Sequence, residues 1–188
     1  MKIFQIGLAF NGGSIIHKIF RNNDIKSIDG CSDQHLGNDL YENFKSSHSI
    51  INGFTDYEAF CNMQVNDHKS FDYHKKYLNR FISEYPDALF IYNHIPMDEY
   101  LEVKKKAKNG KVLESNINHY QMEEQYVLNI WRKQRVIYEA ELEKMFPKSP
   151  YFVKVDLTKD ESIKDMLNFL SVWLDIYDKS IIRWENEG

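Results

Sequence analysis

The chain has 188 residues, of which 43% are hydrophobic and 14% aromatic, enough to bury one sizeable core and to form a single domain over residues 1–188. Its net charge of −4 argues against a nucleic-acid partner, no apolar run approaches a membrane span, and Met1 leads into a strand-like run without a cationic leader. The expectation is a soluble, cytoplasmic protein in which Cys31 and Cys61, too few and unspaced for a metal site, stay reduced.

Lys2 to Leu8 is a short apolar run rich in Ile and Phe, Asn11-Gly12-Gly13-Ser14 reads as a turn, and Ile15, Ile16, Ile19 and Phe20 follow at helical spacing. This order predicts a strand, a glycine loop and a helix. In such a unit the loop amides and the helix N-terminus converge on one point, where an anion, most often a phosphate, is held. The residues Asn11, Gly12, Gly13, Ser14 and Ile15 are therefore expected to present amides to an oxyanion. The competing reading is a turn whose glycines serve geometry alone.

Ile25 to Asp29 alternates apolar and polar residues after the Asn22-Asn23-Asp24 turn, which predicts a second strand and a right-handed βαβ unit. Gly37 to Ile51 is an amphipathic helix with Leu40, Tyr41, Phe44 and Ile51 on its apolar side, stopped by Asn52-Gly53. Phe54 to Phe60 is expected to be a turn or short helix capped by Thr55 or Asp56. Phe71 to Tyr85 carries Phe71, His74, Tyr77, Leu78, Phe81 and Ile82 at helical spacing, and Pro86 ends it.

Ala88 to Asn93 has the continuous apolar character of a strand buried on both faces of a parallel sheet. The loop Asn93 to Pro96 should open on the same sheet edge as the first loop, with Pro96 starting a helix from Met97 to Lys108. Lys104, Lys105, Lys106, Lys108 and Lys111 read as a solvated helix end in preference to a phosphate or nucleic-acid patch. Glu123 to Phe146 is a long helix whose stripe takes in Tyr126, Val127, Ile130, Trp131, Val136, Ile137, Leu142 and Phe146. Tyr151 to Leu157 is a last strand, and Ser162 to Tyr177 a last helix capped by Asp160 or Ser162. The apolar tail Trp173 to Trp184 is expected to cover the core or a partner subunit in a homodimer.

The order of these pieces resembles the sulfotransferases that use 3'-phosphoadenosine 5'-phosphosulfate, in a compact bacterial or viral form. Their opening motif, roughly F-x-I-G-x-x-K-T-G-T-T-S-L, falls without a gap on Phe4 to Ile16, and Gly53 to Phe60, Tyr85 to Ile91, Trp131, Tyr151 to Leu157 and Asn168-Phe169-Leu170 follow in the family's order. The resemblance implies a three-layer α/β fold with a mostly parallel sheet of the P-loop-like sulfotransferase type. It implies sulfuryl transfer from that nucleotide to a hydroxyl of a small molecule or carbohydrate.

Two departures bear on activity. Phe10 stands at the loop lysine of the motif, a position where a lost charge costs catalysis on the order of 100-fold. The arginine and serine that hold the family's 3'-phosphate fall on Ile95 or His94 and on Val103 or Lys104. His94 remains as a titratable donor beside a phosphate, Ser14 stands at a phosphate-binding threonine, and the resemblance offers His17 or Asp56 as the base that deprotonates the acceptor. The alternative is a binding protein that kept the fold and lost the donor site. A nucleoside-triphosphate kinase is disfavoured because no G-x-x-x-x-G-K-[ST] is present.

Overall fold

The computed structural model describes residues 1–33, 35–64 and 78–182. Five parallel strands, β1 (Ile3–Gln5), β2 (Ser27–Asp29), β3 (Ala59–Cys61), β4 (Leu89–His94) and β5 (Phe152–Asp156), form one sheet in the order β2-β3-β1-β4-β5. Parallel neighbours cannot be joined by a tight turn, so helices must cross over and cover the sheet faces. These are α1 (Gly13–Asn22), α2 (Leu36–Lys45), α3 (Met97–Lys106), α4 (Lys111–Tyr120), α5 (Glu124–Met145) and α6 (Asp160–Ser171), with residues 78–84 also helical. The result is a three-layer α/β fold with an all-parallel sheet. No helix among the described residues is long and apolar enough to cross a membrane.

Double-sided burial selects the strand residues. Ile3 to Gln5, Ala59 to Cys61 and Leu89 to Asn93 are buried throughout. Phe4 sits centrally, its ring 4.3 to 5.7 Å from those of Phe60, Phe81, Tyr85 and Phe90. From β1 the chain passes over one sheet position to β2, returns to fill the gap with β3, and then crosses to the other side of β1 for β4. The winding therefore reverses at β1, and the loops after β1 and β4 leave in opposite directions. The crevice between them, at the carboxyl ends of the strands, is where open α/β sheets bind ligands.

Several expectations are corrected. Residues 59–61 form a strand between β1 and β2, not the end of a capped turn, because Phe60 has both sheet faces to fill. The helix after β2 ends at Lys45, leaving Ile51 buried from a turn. The lysine-rich end of α3 stops at Lys106, and a separate helix, α4, begins after the left-handed Gly110. Neither Asp160 nor Ser162 caps α6: Lys159 is at the cap, and the Ser162 hydroxyl instead accepts the Asp156 amide at 2.8 Å. The buried line on α5 runs through Val127, Trp131, Arg135, Tyr138 and Leu142, while Tyr126, Val136 and Ile137 are exposed.

The last helix also stops early, at Ser171, and the following chain folds back over the protein's own core. Ile176 is buried, and Leu174, Ile181 and Ile182 pack against the core. The Asn23 side chain fixes this return by accepting the amides of Tyr177 and Asp178 at 2.9 and 2.8 Å and donating to the Asp178 carbonyl at 3.0 Å. His74, Tyr77 and Trp184 lie outside the described residues.

Candidate active site at the carboxyl edge of the sheet

α1 starts at Gly13 because Gly12, at φ 79°, turns the chain into the helix from a left-handed cap. The Asn11 amide is bonded to the Leu8 carbonyl at 3.3 Å and the Ile15 amide to the Gly12 carbonyl at 3.0 Å, so these two expected anion donors are already engaged. The amides of Gly12, Gly13 and Ser14 have no partner among the described residues. Three unpaired donors at the positive end of α1 are the local requirement for an oxyanion. The Asn11 side chain is fully buried with neither its nitrogen nor its oxygen hydrogen-bonded.

Below the loop lies a floor of amides. The buried Gln5 side chain accepts the Asn62 amide at 2.7 Å and donates to the Asn93 side chain, which donates in turn to the Asn11 carbonyl. Asn62 donates to Asp29 Oδ1 at 2.7 Å and to Ser14 Oγ at 3.1 Å, and Ser14 donates to Asp29 Oδ2 at 3.2 Å. The Ser14 hydroxyl is thus held by a carboxylate. Asp29 complements the α1 dipole from inside the protein and opposes any further anion arriving at Ser14.

His17 lies one turn along α1, with Nδ1 2.9 Å from Ser27 Oγ. Together with Arg21, Asp29, Asp33, His35 and Tyr57 the pair lines an open groove of about 610 Å³. Burial holds the imidazole below the ordinary histidine value, Asp29 opposes that shift and Arg21 adds to it. At neutral pH the ring is therefore uncharged. In the tautomer that donates from Nδ1 to Ser27, Nε2 is a proton acceptor.

The other two expected site residues do not join this arrangement. Asp56 is exposed in the turn entering β3, at the amino edge of the sheet, where Lys2 donates to the neighbouring carbonyls of Thr55 and Tyr57. The loop after β1 is at the opposite edge. His94 ends β4 in register with Asp156, half-buried and stacked on Tyr92 at 5.9 Å. Burial first, then Lys154, lowers its pKa, with Asp156 opposing, so the surroundings present in the structure disfavour its protonation.

Gln5, Asp29, Asn62 and Asn93 were not singled out by sequence reasoning. Their signal was present: Gln5 and Asp29 end their strands, Asn62 follows the last residue of β3, and Asn93 lies one residue before the end of β4, each as a polar side chain closing an apolar run.

Comparison of the chain with protein-family models, with curated proteins and with solved structures finds no match.

These groups give stability a two-stage pH dependence. His17 and His94 have folded pKa values below their ordinary 6.5, so the unfolded chain takes up their protons first. Stability then falls as pH drops through 6.5 and levels off below the folded values. Glu84, Glu139 and Asp156 are held below their ordinary values of 4.5, 4.5 and 3.8. For Glu139, desolvation pulls upward but is outweighed by its bonds from Tyr92 and Arg135. The stability these carboxylates add is present above the ordinary values and is lost as pH falls through the lowered ones. Urea midpoints from pH 8 to 3 should show both declines, with His17→Gln reducing the upper one. A flat profile between pH 7.5 and 5.5 would contradict the assignment.

Proposed function

We propose that the protein binds a nucleotide bearing phosphate or sulfate groups in the crevice between β1 and β4, and that it acts as a sulfotransferase on a hydroxyl-bearing acceptor in the groove beside α1. The observation that carries this reading is the trio of unpartnered amides, Gly12, Gly13 and Ser14, at the start of α1 on the strand where the sheet winding reverses. The resemblance of Phe4 to Ile16 to the sulfotransferase loop adds the donor class, 3'-phosphoadenosine 5'-phosphosulfate, whose bound form would supply an activated sulfuryl group.

The chain's own residues then divide the work. The three amides would hold donor oxygens without charge, and the Asn11 side chain has hydrogen-bonding capacity left for a neighbouring group. Uncharged His17, in the groove with Ser27, would accept the acceptor's proton as the hydroxyl attacks. Asp56 has no part in this scheme, because it does not line the groove.

A second reading is favoured by two particular residues. Phe10 replaces the cation expected in the loop, and Asp29 places a carboxylate against Ser14. Both weaken anion binding, which suits a binding protein that kept the fold and works without sulfuryl transfer.

Titration with 3'-phosphoadenosine 5'-phosphate separates these readings from a closed loop. Asp29→Asn keeps an oxygen for Ser14 and removes the opposing charge, so it should tighten nucleotide binding on the order of tenfold, about 1.4 kcal/mol. Unchanged or weaker binding by Asp29→Asn would mean that the anion does not approach Ser14. Sulfuryl transfer by the wild-type protein that is lost in His17→Gln would favour the enzyme over the binding protein.

A further inference from the structure

The apolar line of α5 is interrupted by a cation. Arg135 is 4% exposed, at a position one turn from Trp131 on one side and from Tyr138 on the other. Its Nη2 donates to the Ile95 carbonyl at 2.7 Å, directly after β4, and its Nε donates to Glu139 at 3.0 Å. Nη1 is buried with no partner. A guanidinium enclosed with one edge unsatisfied is costly unless something completes it.

A second cation stands close by. Lys104, in the third turn of α3, is half-buried, with Nζ 4.6 Å from the Trp131 ring centroid and 3.1 Å from the Tyr100 hydroxyl, and it has no carboxylate partner among the described residues. Both cations stand against the ring of Tyr100, Arg135 at 5.2 Å and Lys104 at 5.4 Å from its centroid. Glu139 is the carboxylate that meets this cluster, and it is already shared between Arg135, the Tyr92 hydroxyl and Lys154. The cluster is short of negative charge. Sequence reading assigned Lys104 to a solvated helix end; its packing on two aromatic rings removes it from that set.

We propose that Arg135 and Lys104 form a second oxyanion site, between α3 and α5 at the carboxyl end of β4, which takes a phosphate or sulfate group. The fork of Arg135 suits a tetrahedral oxyanion, and Lys104 adds a point charge. The position is next to the crevice: β4 and β1 are paired neighbours, and Tyr138, one turn after Arg135, donates to the Ile6 carbonyl of the first loop at 2.8 Å. One face of α5 thus touches both loops that border the proposed nucleotide. The site's occupant is therefore either a phosphate of that nucleotide or a free oxyanion, and the nucleotide alternative rests on the proposed function.

The test is calorimetric titration with inorganic phosphate and, separately, with 3'-phosphoadenosine 5'-phosphate, at constant ionic strength, of the full chain and of Lys104→Met and Arg135→Lys. Lys104→Met removes a charge without opening a cavity, so its thermal midpoint should stay near that of the wild type, whereas Arg135→Lys, which loses the bond to Ile95, enters the comparison only if it melts cooperatively. Lys104→Met should weaken phosphate binding on the order of tenfold or more, the effect of one charge-assisted bond. Parallel loss of nucleotide affinity would place a nucleotide phosphate in the site. Loss for inorganic phosphate alone would assign the site to a free oxyanion. Phosphate binding that depends on Lys104, with no nucleotide binding, would uphold the site and remove the nucleotide reading. Wild-type protein that binds no phosphate, or Lys104→Met that binds it as the wild type does, would overturn the proposal.

Discussion

Gly7→Ala is expected to destabilise the protein by about 3 kcal/mol, from overpacking of 1–3 kcal/mol together with disturbance of buried hydrogen bonds. A β-carbon at this position would lie 2.2 Å from Asn93 Oδ1, 2.7 Å from the Asn93 backbone oxygen and 2.7 Å from Gln5 Nε2. The backbone oxygen belongs to β4, the neighbour of β1, and cannot move without shifting the sheet. The two side-chain atoms are the Gln5–Asn93 hydrogen bond itself, so the substitution also breaks the floor beneath the loop after β1. For a chain of this length the melting temperature should fall by roughly 10 °C. Gly53→Ala is the internal comparison: it is strained by a left-handed backbone at φ 87°, which Gly7 is not, but has nothing within 4 Å of the new carbon. Equal losses from the two substitutions, measured by urea unfolding, would mean that the crevice floor yields freely.

Phe10→Lys is expected to tighten 3'-phosphoadenosine 5'-phosphate by about 1.5–3 kcal/mol, on the order of 10- to 150-fold, because it adds a charged donor to a loop that otherwise offers neutral amides. Phe10 is half-buried and already in the left-handed region at φ 66°, so the replacement introduces no new backbone strain. The gain should shrink as salt rises, as expected for a partly exposed charge. Calorimetry at two ionic strengths checks this. Tight binding by the wild type would mean that another cation already serves the loop, and no binding by either protein would mean that the loop does not open to the nucleotide. Combining Phe10→Lys with Asp29→Asn should add the two gains only in part, since both act on the same anion.

Much of the architecture was legible along the chain. The run from Ile3, the glycines at 12 and 13 and the helical spacing after them define a strand-loop-helix unit through local geometry alone, and Leu89 to Asn93 announces a doubly buried strand by being apolar without alternation. The long helix α5 is equally plain, from Glu124 to Met145. The three-residue β3 was not legible, since Ala59-Phe60-Cys61 is too short to carry a period and becomes a strand only because β1 and β2 offer hydrogen bonds on both sides. The exact face of α5 was also hidden: hydrophobicity placed Val136 and Ile137 inside, and packing put Arg135 there instead.

For the candidate site the sequence by itself determined the strand-glycine-helix loop, because glycines between an apolar run and a helical spacing start a helix whose first amides have no partner within it. It also determined that the loop lacks a lysine. That Asp29 accepts from the Ser14 hydroxyl, that Asp56 lies at the amino edge of the sheet, that burial lowers the pKa of His94 and that Arg135 and Lys104 both stand against Tyr100 were decided by the tertiary structure alone. The reason is physical: hydrogen-bond vacancies near one residue are set by local backbone, whereas the charge and partners of a side chain depend on groups brought from distant strands and helices, here 15 residues apart for Ser14 and Asp29 and 40 for Arg135 and Ile95.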